Sequence, residues 1–136
     1  MTRQITGNVG MYYVCYILSL GGLNVMPTSR NAKGIDIVAY SDSSRFTTIQ
    51  VKSFSKPCAV PLGQSLNVNI SDFWCIVYQK KDGIEVYVMK PEEILDRAHK
   101  DSKGSYWMEY KTFRGCSDFL NRTDRIVSET VIRHDS

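Results

Sequence analysis

Two runs of the chain alternate apolar and polar residues with period two, and both read as β-strands. Ile35, Ile37 and Ala39 alternate with Asp36, Val38 and Tyr40, and after the turn-rich Ser41 to Ser44 a second run sets Thr47, Ile49 and Val51 against Thr48, Gln50 and Lys52. Successive side chains of a strand point to opposite faces, so the pairing register decides whether Asp36 shares a face with Gln50 and Lys52. If Asp36 lies opposite Gln50, Ile35 meets Val51, Ile37 meets Ile49, and a small loop around Ser43 closes the hairpin. This register gathers a carboxylate, an amide and an ammonium on one face.

The remaining pattern predicts the elements around that hairpin. Asn8 to Leu20 reads as a helix, capped by Thr6 or Asn8 and closed by Gly21-Gly22. No charged residue occurs from Val9 through Leu20, so such a helix needs cover on most sides, and a buried strand is the competing reading. Tyr12, Tyr13 and Tyr16 are accordingly expected in core or rim packing. Leu23 to Thr28 reads as a short strand stopped by Pro27. Ser53 to Ser71, with Pro57, Pro61 and Gly63, is a long connection of the kind that carries function or mobility. Phe73 to Gln79 and Ile84 to Met89 follow as strands joined through Asp82-Gly83. The first is nearly all apolar, which places it centrally, beside the lysine strand, with Trp74 in the core. Pro91 opens a helix running to about His99, and Ser105 to Thr112 alternates as a further strand. Residues 1–122 thus read as one α/β domain, a mixed sheet of about five strands flanked by helices. Residues 123–136 read as a polar C-terminal tail, frayed or ordered by a partner.

Composition narrows the class without naming a function. At 136 residues the chain has room for one domain with one substantial core. No apolar run reaches the roughly 18 residues of a membrane span, and Met1 to Thr6 lacks the pattern of a signal peptide, so a cytoplasmic protein is expected. Cys15, Cys58, Cys75 and Cys116 form no C-x-x-C pair and have no histidine near them, and they read as buried thiols rather than zinc ligands. A net charge of +3 is compatible with a polyanionic partner but does not require one.

The hairpin carries the chemistry. A carboxylate, a neutral acceptor and an ammonium converging at a strand end suit metal-assisted hydrolysis of a phosphodiester. Asp36 would hold a hard cation such as Mg²⁺ (or Mn²⁺) with the backbone carbonyl of Val51, and Lys52 would steady the attacking water or the developing negative charge. The same trio is also what an ordinary solvated strand face contains. Just ahead of Asp36, the loop residues Ser29, Arg30, Asn31 and Lys33 supply two cations and two neutral donors for a nucleic-acid backbone, and Lys56 extends that edge into the long connection.

Gly34-Ile35-Asp36 followed across a hairpin by Ile49-Gln50-Val51-Lys52 resembles the core motif of the PD-(D/E)XK nuclease superfamily. The likeness is to the version with glutamine in place of the second acid, found in Mrr-type and resolvase-like small nucleases. The stretch from Gly7 to Ser53 is similar to small members of that group, with a GNVG helix start, a short strand and an NAKGID loop in the same order. The resemblance implies a restriction-endonuclease-like core and a Mg²⁺-dependent DNA endonuclease. Asp36, Gln50 and Lys52 would be its catalytic residues, Asp36 and the Val51 carbonyl its metal ligands, and a 5′-phosphate its product. A two-fold dimer would suit cutting of both strands. The chain departs from the pattern at Met11, where members with this helix start carry a glutamate that reaches the same metal. Asp36 is then the only carboxylate of the motif. The alternative is therefore a catalytically weak or inactive nucleic-acid-binding or protein-interaction module on the same fold.

Overall fold

The computed structural model describes residues 1–29, 34–42 and 46–135. Its centre is a five-stranded mixed sheet. The strands are β1 (Asn24–Pro27), β2 (Ile37–Tyr40), β3 (Thr47–Phe54), β5 (Phe73–Lys80) and β6 (Gly83–Met89), lying in the order β1-β2-β3-β5-β6. The first three form an antiparallel meander, β5 runs parallel to β3, and β6 returns antiparallel to β5. The coarse expectation of an α/β domain with a mixed five-stranded sheet agrees with this arrangement.

Strand β5 is central because its sequence leaves it nowhere else to go. All six residues from Phe73 to Tyr78 are buried. Phe73, Cys75 and Val77 join a core under the helix α1 (Arg3–Leu20), while Trp74, Ile76 and Tyr78 join a second core on the other face. The second core is roofed by a small antiparallel sheet, of which the hydrophobic pattern announced only the strand within Ser105 to Thr112. It is built of β4 (Val60–Gly63), β8 (Tyr106–Met108) and β7 (Ala98–Lys100), in that order. The connection expected after Ser53 thus contains a strand, and the helix begun at Pro91 stops at Leu95 (α2) so that His99 lies in β7.

Helix α1 starts earlier than its apolar run, because Thr2 supplies the cap: its hydroxyl accepts the Ile5 N–H at 3.2 Å. Gly21 closes the helix by donating to the Ile17 carbonyl, and Gly22 turns the chain away at φ +95°. The helix crosses β3 where Gly10 meets Ser53, and a β-carbon at Gly10 would overlap the Ser53 side chain. Cover on most sides is not what the structure shows. Val14 and Leu18 are buried, but Tyr12 is 61% and Tyr16 59% exposed, so one face of the charge-free stretch from Val9 to Leu20 meets solvent. Tyr12 and Tyr16 are therefore surface residues, with tyrosine hydroxyls hydrated in place of charges.

Residues 124–135 also differ from the expected tail. They form α3 (Asp124–Asp135), whose Ile126 is fully buried in the core under α1. Thr130 contacts Thr47 of β3 through their hydroxyls at 2.8 Å, and Arg125 donates to the Val88 carbonyl at 2.8 Å and pairs with Glu93 at 2.9 Å. A few apolar and hydroxyl side chains on one helical stripe were enough to dock an otherwise polar segment.

Candidate functional site

The site lies just before β2 begins. Strands β2 and β3 pair Ile37 with Ile49 and Ala39 with Thr47, and the pairing stops at Ile37, one residue short of Asp36. Ile37, Ala39 and Ile49 are buried in the core against α1, as burial of one face requires, and Val51 packs on the same side. Gln50 and Lys52 therefore project to the opposite face. There the Lys52 ammonium stands 5.8 Å from the ring of Trp74. That indole is almost wholly buried and donates to the Val68 carbonyl at 3.1 Å, so the surface beneath the lysine is rigid.

Asp36 is one residue beyond the last β2 pair. Its own N–H donates to the Ile49 carbonyl at 2.8 Å, and its carboxylate turns along the strand edge to accept the Val51 N–H at 2.7 Å. A side-chain oxygen thus takes a backbone donor that a continuing strand would have satisfied. The approach to Asp36 is fixed from behind as well, because Thr28 donates its N–H to the Asp36 carbonyl at 2.9 Å and its hydroxyl to the Ile35 carbonyl at 2.5 Å. Gly34, at φ +76°, lies against Ile70 with no room for a β-carbon. Glycine is needed there on both counts.

Past Val51, β3 has a free edge among the described residues, and a cleft of about 540 Å³ runs along it. Lys52, Phe54 and Lys56 line it from the strand and the following loop, and Arg3 and Thr6 from α1. The lining contains three side-chain cations and no carboxylate. Asp36 is not part of the lining and adjoins it through its hydrogen bond to the amide of Val51, which is.

Of the residues expected from sequence, Asp36, Gln50, Val51 and Lys52 lie along one stretch of β3 and its margin, and Lys56 lines the same cleft. Ser29 is exposed between Thr28 and the loop before Gly34. Arg30, Asn31 and Lys33 lie outside the described residues, as does the loop around Ser43. Met11 is half-buried against the apolar cluster that includes Ile37 and Ile49. Arg3, Thr6 and Phe54 were missed. Nothing in the sequence relates positions 3 and 54 until α1 is laid antiparallel across β3.

Among the described residues, no three His, Cys, Asp or Glu side chains converge as a metal-binding group. Mg²⁺ nevertheless takes hard oxygen donors and is often held by one or two carboxylates together with substrate phosphates. Asp36 has one oxygen engaged by Val51 and the other without a hydrogen bond among the described residues, so the donor chemistry fits a cation shared with a phosphate. The cysteines offer no alternative chemistry: all four are free, and burial pushes the Cys75 thiol up to about 12 and raises Cys15 and Cys58 as well.

No known protein-family model matches the chain, and no curated protein sequence matches it.

Proposed function

We propose that the chain is a metal-dependent phosphodiester hydrolase acting on DNA, built on a restriction-endonuclease-like core of the PD-(D/E)XK type. The single observation that carries the reading is the seat of Asp36. Its carboxylate is anchored on the amide of Val51 at 2.7 Å, and Val51 and Lys52 line a cleft that carries three cationic side chains. The element order supports the class: a helix, a three-stranded antiparallel meander, then a strand parallel to the third.

When bound, Mg²⁺ or Mn²⁺ would supply Lewis acidity toward the phosphoryl oxygens and lower the pKa of a bound water. Asp36 would hold the cation with its free oxygen, assisted by the Val51 carbonyl, while the Val51 N–H keeps that carboxylate from rotating. Gln50 would accept from or donate to water on the same strand face without adding charge. Lys52 would donate to the phosphoryl oxygens as negative charge develops, its position limited by the Trp74 face below it. Ser29, Arg30, Asn31, Lys33 and Lys56 would hold flanking phosphates.

A second reading has its own support. Asp36 has one oxygen already engaged, the motif supplies no second carboxylate, and Met11, where the second acid would stand, packs against an apolar cluster. These facts favour slow hydrolysis, or a module that binds nucleic acid without cutting it. One assay separates the readings. Supercoiled, linear, branched and single-stranded DNA are incubated with Mg²⁺, Mn²⁺ or EDTA and scored for both retention and cleavage. Metal-dependent cleavage lost in Asp36→Asn supports the hydrolase, retention without cleavage supports the binding module, and neither leaves an interaction domain.

A further inference from the structure

The cleft along the open edge of β3 has a shape and lining that choose among nucleic-acid forms. Its volume of about 540 Å³ is that of a small-molecule site, enough for one or two nucleotides and too small for a duplex. Its cations come from three separate places in the chain: Arg3 on the first turn of α1, Lys52 on β3 and Lys56 in the loop beyond. Arg3 and Lys56 are exposed and Lys52 is half-buried, and no ion pair engages any of them among the described residues. Between these charges lies an aromatic residue. Phe54 lines the cleft half-buried, its ring stacked on Tyr78 at 5.5 Å between centroids with 25° between planes. Tyr78 is wholly buried and held by its hydroxyl on the Cys58 carbonyl at 2.7 Å, so Phe54 is backed by a fixed partner. Cations that track a backbone, interleaved with an aromatic surface, are what single-stranded nucleic acid needs, because every base has a π-face but only an unpaired base can present it.

We propose that this cleft binds a single-stranded segment of nucleic acid, with phosphates on Arg3, Lys52 and Lys56 and an unpaired base against Phe54. The inference deepens the hydrolase reading and rests on it: a strand lying in the cleft brings a phosphate to Val51 and Lys52, beside the amide on which Asp36 is seated, so flaps, frayed ends and single strands are the preferred substrates over intact duplex. Arg3 and Phe54 are thereby given a role in specificity that neither the motif nor the charge pattern assigned to them.

The test is fluorescence anisotropy with a labelled 12-nucleotide single strand and the same sequence as a blunt duplex, measured in EDTA across a salt series. The wild-type protein is expected to bind the single strand at least tenfold tighter. Phe54→Leu keeps an apolar side chain against Tyr78 and is expected to weaken single-strand binding by about tenfold, the loss of one stacked base, with little effect on the duplex. Arg3→Ala, at an exposed position that no fold contact depends on, is expected to weaken binding and lower the salt slope by about one phosphate contact. Equal or tighter binding of the duplex overturns the inference, as does unchanged affinity in both Phe54→Leu and Arg3→Ala. Either result leaves the hydrolase reading standing if Mg²⁺-dependent cleavage persists. Absence of cleavage with the single-strand preference intact overturns only the hydrolase.

Discussion

Asp36 has one carboxylate oxygen committed to a backbone amide, which gives it a structural role separable from any chemistry. Replacing it with alanine leaves the Val51 N–H without its partner, at a cost of roughly 1–3 kcal/mol, whereas asparagine keeps an oxygen acceptor and is expected to cost less. Thermal unfolding of both variants checks the ordering. Gly10 is as tightly constrained. Alanine normally stabilises a helix over glycine by about 1 kcal/mol, but here its β-carbon would overlap Ser53 Oγ and Cβ. The overlap decides the sign, and Gly10→Ala is expected to lose about 1–3 kcal/mol net, with much of the loss recovered in Gly10→Ala/Ser53→Gly. A double variant no more stable than the single one would count against this packing. Asp101 is the residue with a readable pH dependence. It accepts from the Trp107 indole N–H at 2.8 Å and from the Ser105 and Lys103 amides, with the indole bond the largest cause holding its carboxyl below the ordinary 3.8. A carboxyl depressed in the folded state contributes stability above its unfolded pKa and loses it as the pH falls through the folded one. Trp107 fluorescence in a Trp74→Phe background is therefore expected to stay constant down to about pH 4 and to change below the ordinary value of 3.8, and in Asp101→Asn to show no such change.

At the scale of elements, what the sequence showed depended on how many faces each element buries. The β2–β3 register was legible because one face is buried and a slip of one residue would turn Ile37 and Ile49 to the wrong side. The central place of β5 was legible because both of its faces are apolar. The second sheet was legible only at β8, inside the strand read over Ser105 to Thr112, since β4 carries Pro61 and Gly63 and β7 has three residues, too short for periodicity to register. The outer face of α1 misled for the opposite reason: tyrosines and small residues leave a helix face uncharged while it still meets solvent. Helix α3 was hidden by its polar composition, its docking resting on Ile126 and on the Thr47–Thr130 contact. Ile126→Ala is accordingly expected to destabilise the domain by about 2–5 kcal/mol, and deletion of residues 123–136 by more, measured by urea unfolding. A deletion that left the midpoint unchanged would show that α3 is dispensable to the core.

For the molecule as a whole, the candidate site is a consequence of an asymmetry in the sheet. Strand β3 is eight residues long and β2 only four, so on the side of β2 it runs on without a strand partner past the point where Asp36 caps it, while its other side stays paired with β5. Helix α1 then brings Arg3 to the open edge, and the loop after β3 adds Lys56. The motif residues were legible because they are close in sequence. The cleft was not, because it depends on a helix crossing that only Gly10 and Ser53 make possible. The central claim, that Asp36 and Lys52 serve a metal-dependent cleavage of phosphodiesters, is tested most directly by single-turnover cleavage of an end-labelled oligonucleotide. Wild type, Asp36→Asn and Lys52→Ala are compared with Mg²⁺ and with EDTA, and product ends are identified. The account predicts slow, Mg²⁺-dependent cleavage leaving 5′-phosphates, abolished in Asp36→Asn and reduced on the order of 10²–10³-fold in Lys52→Ala. Cleavage that persists in EDTA, or that is equal in wild type and Asp36→Asn, would contradict it.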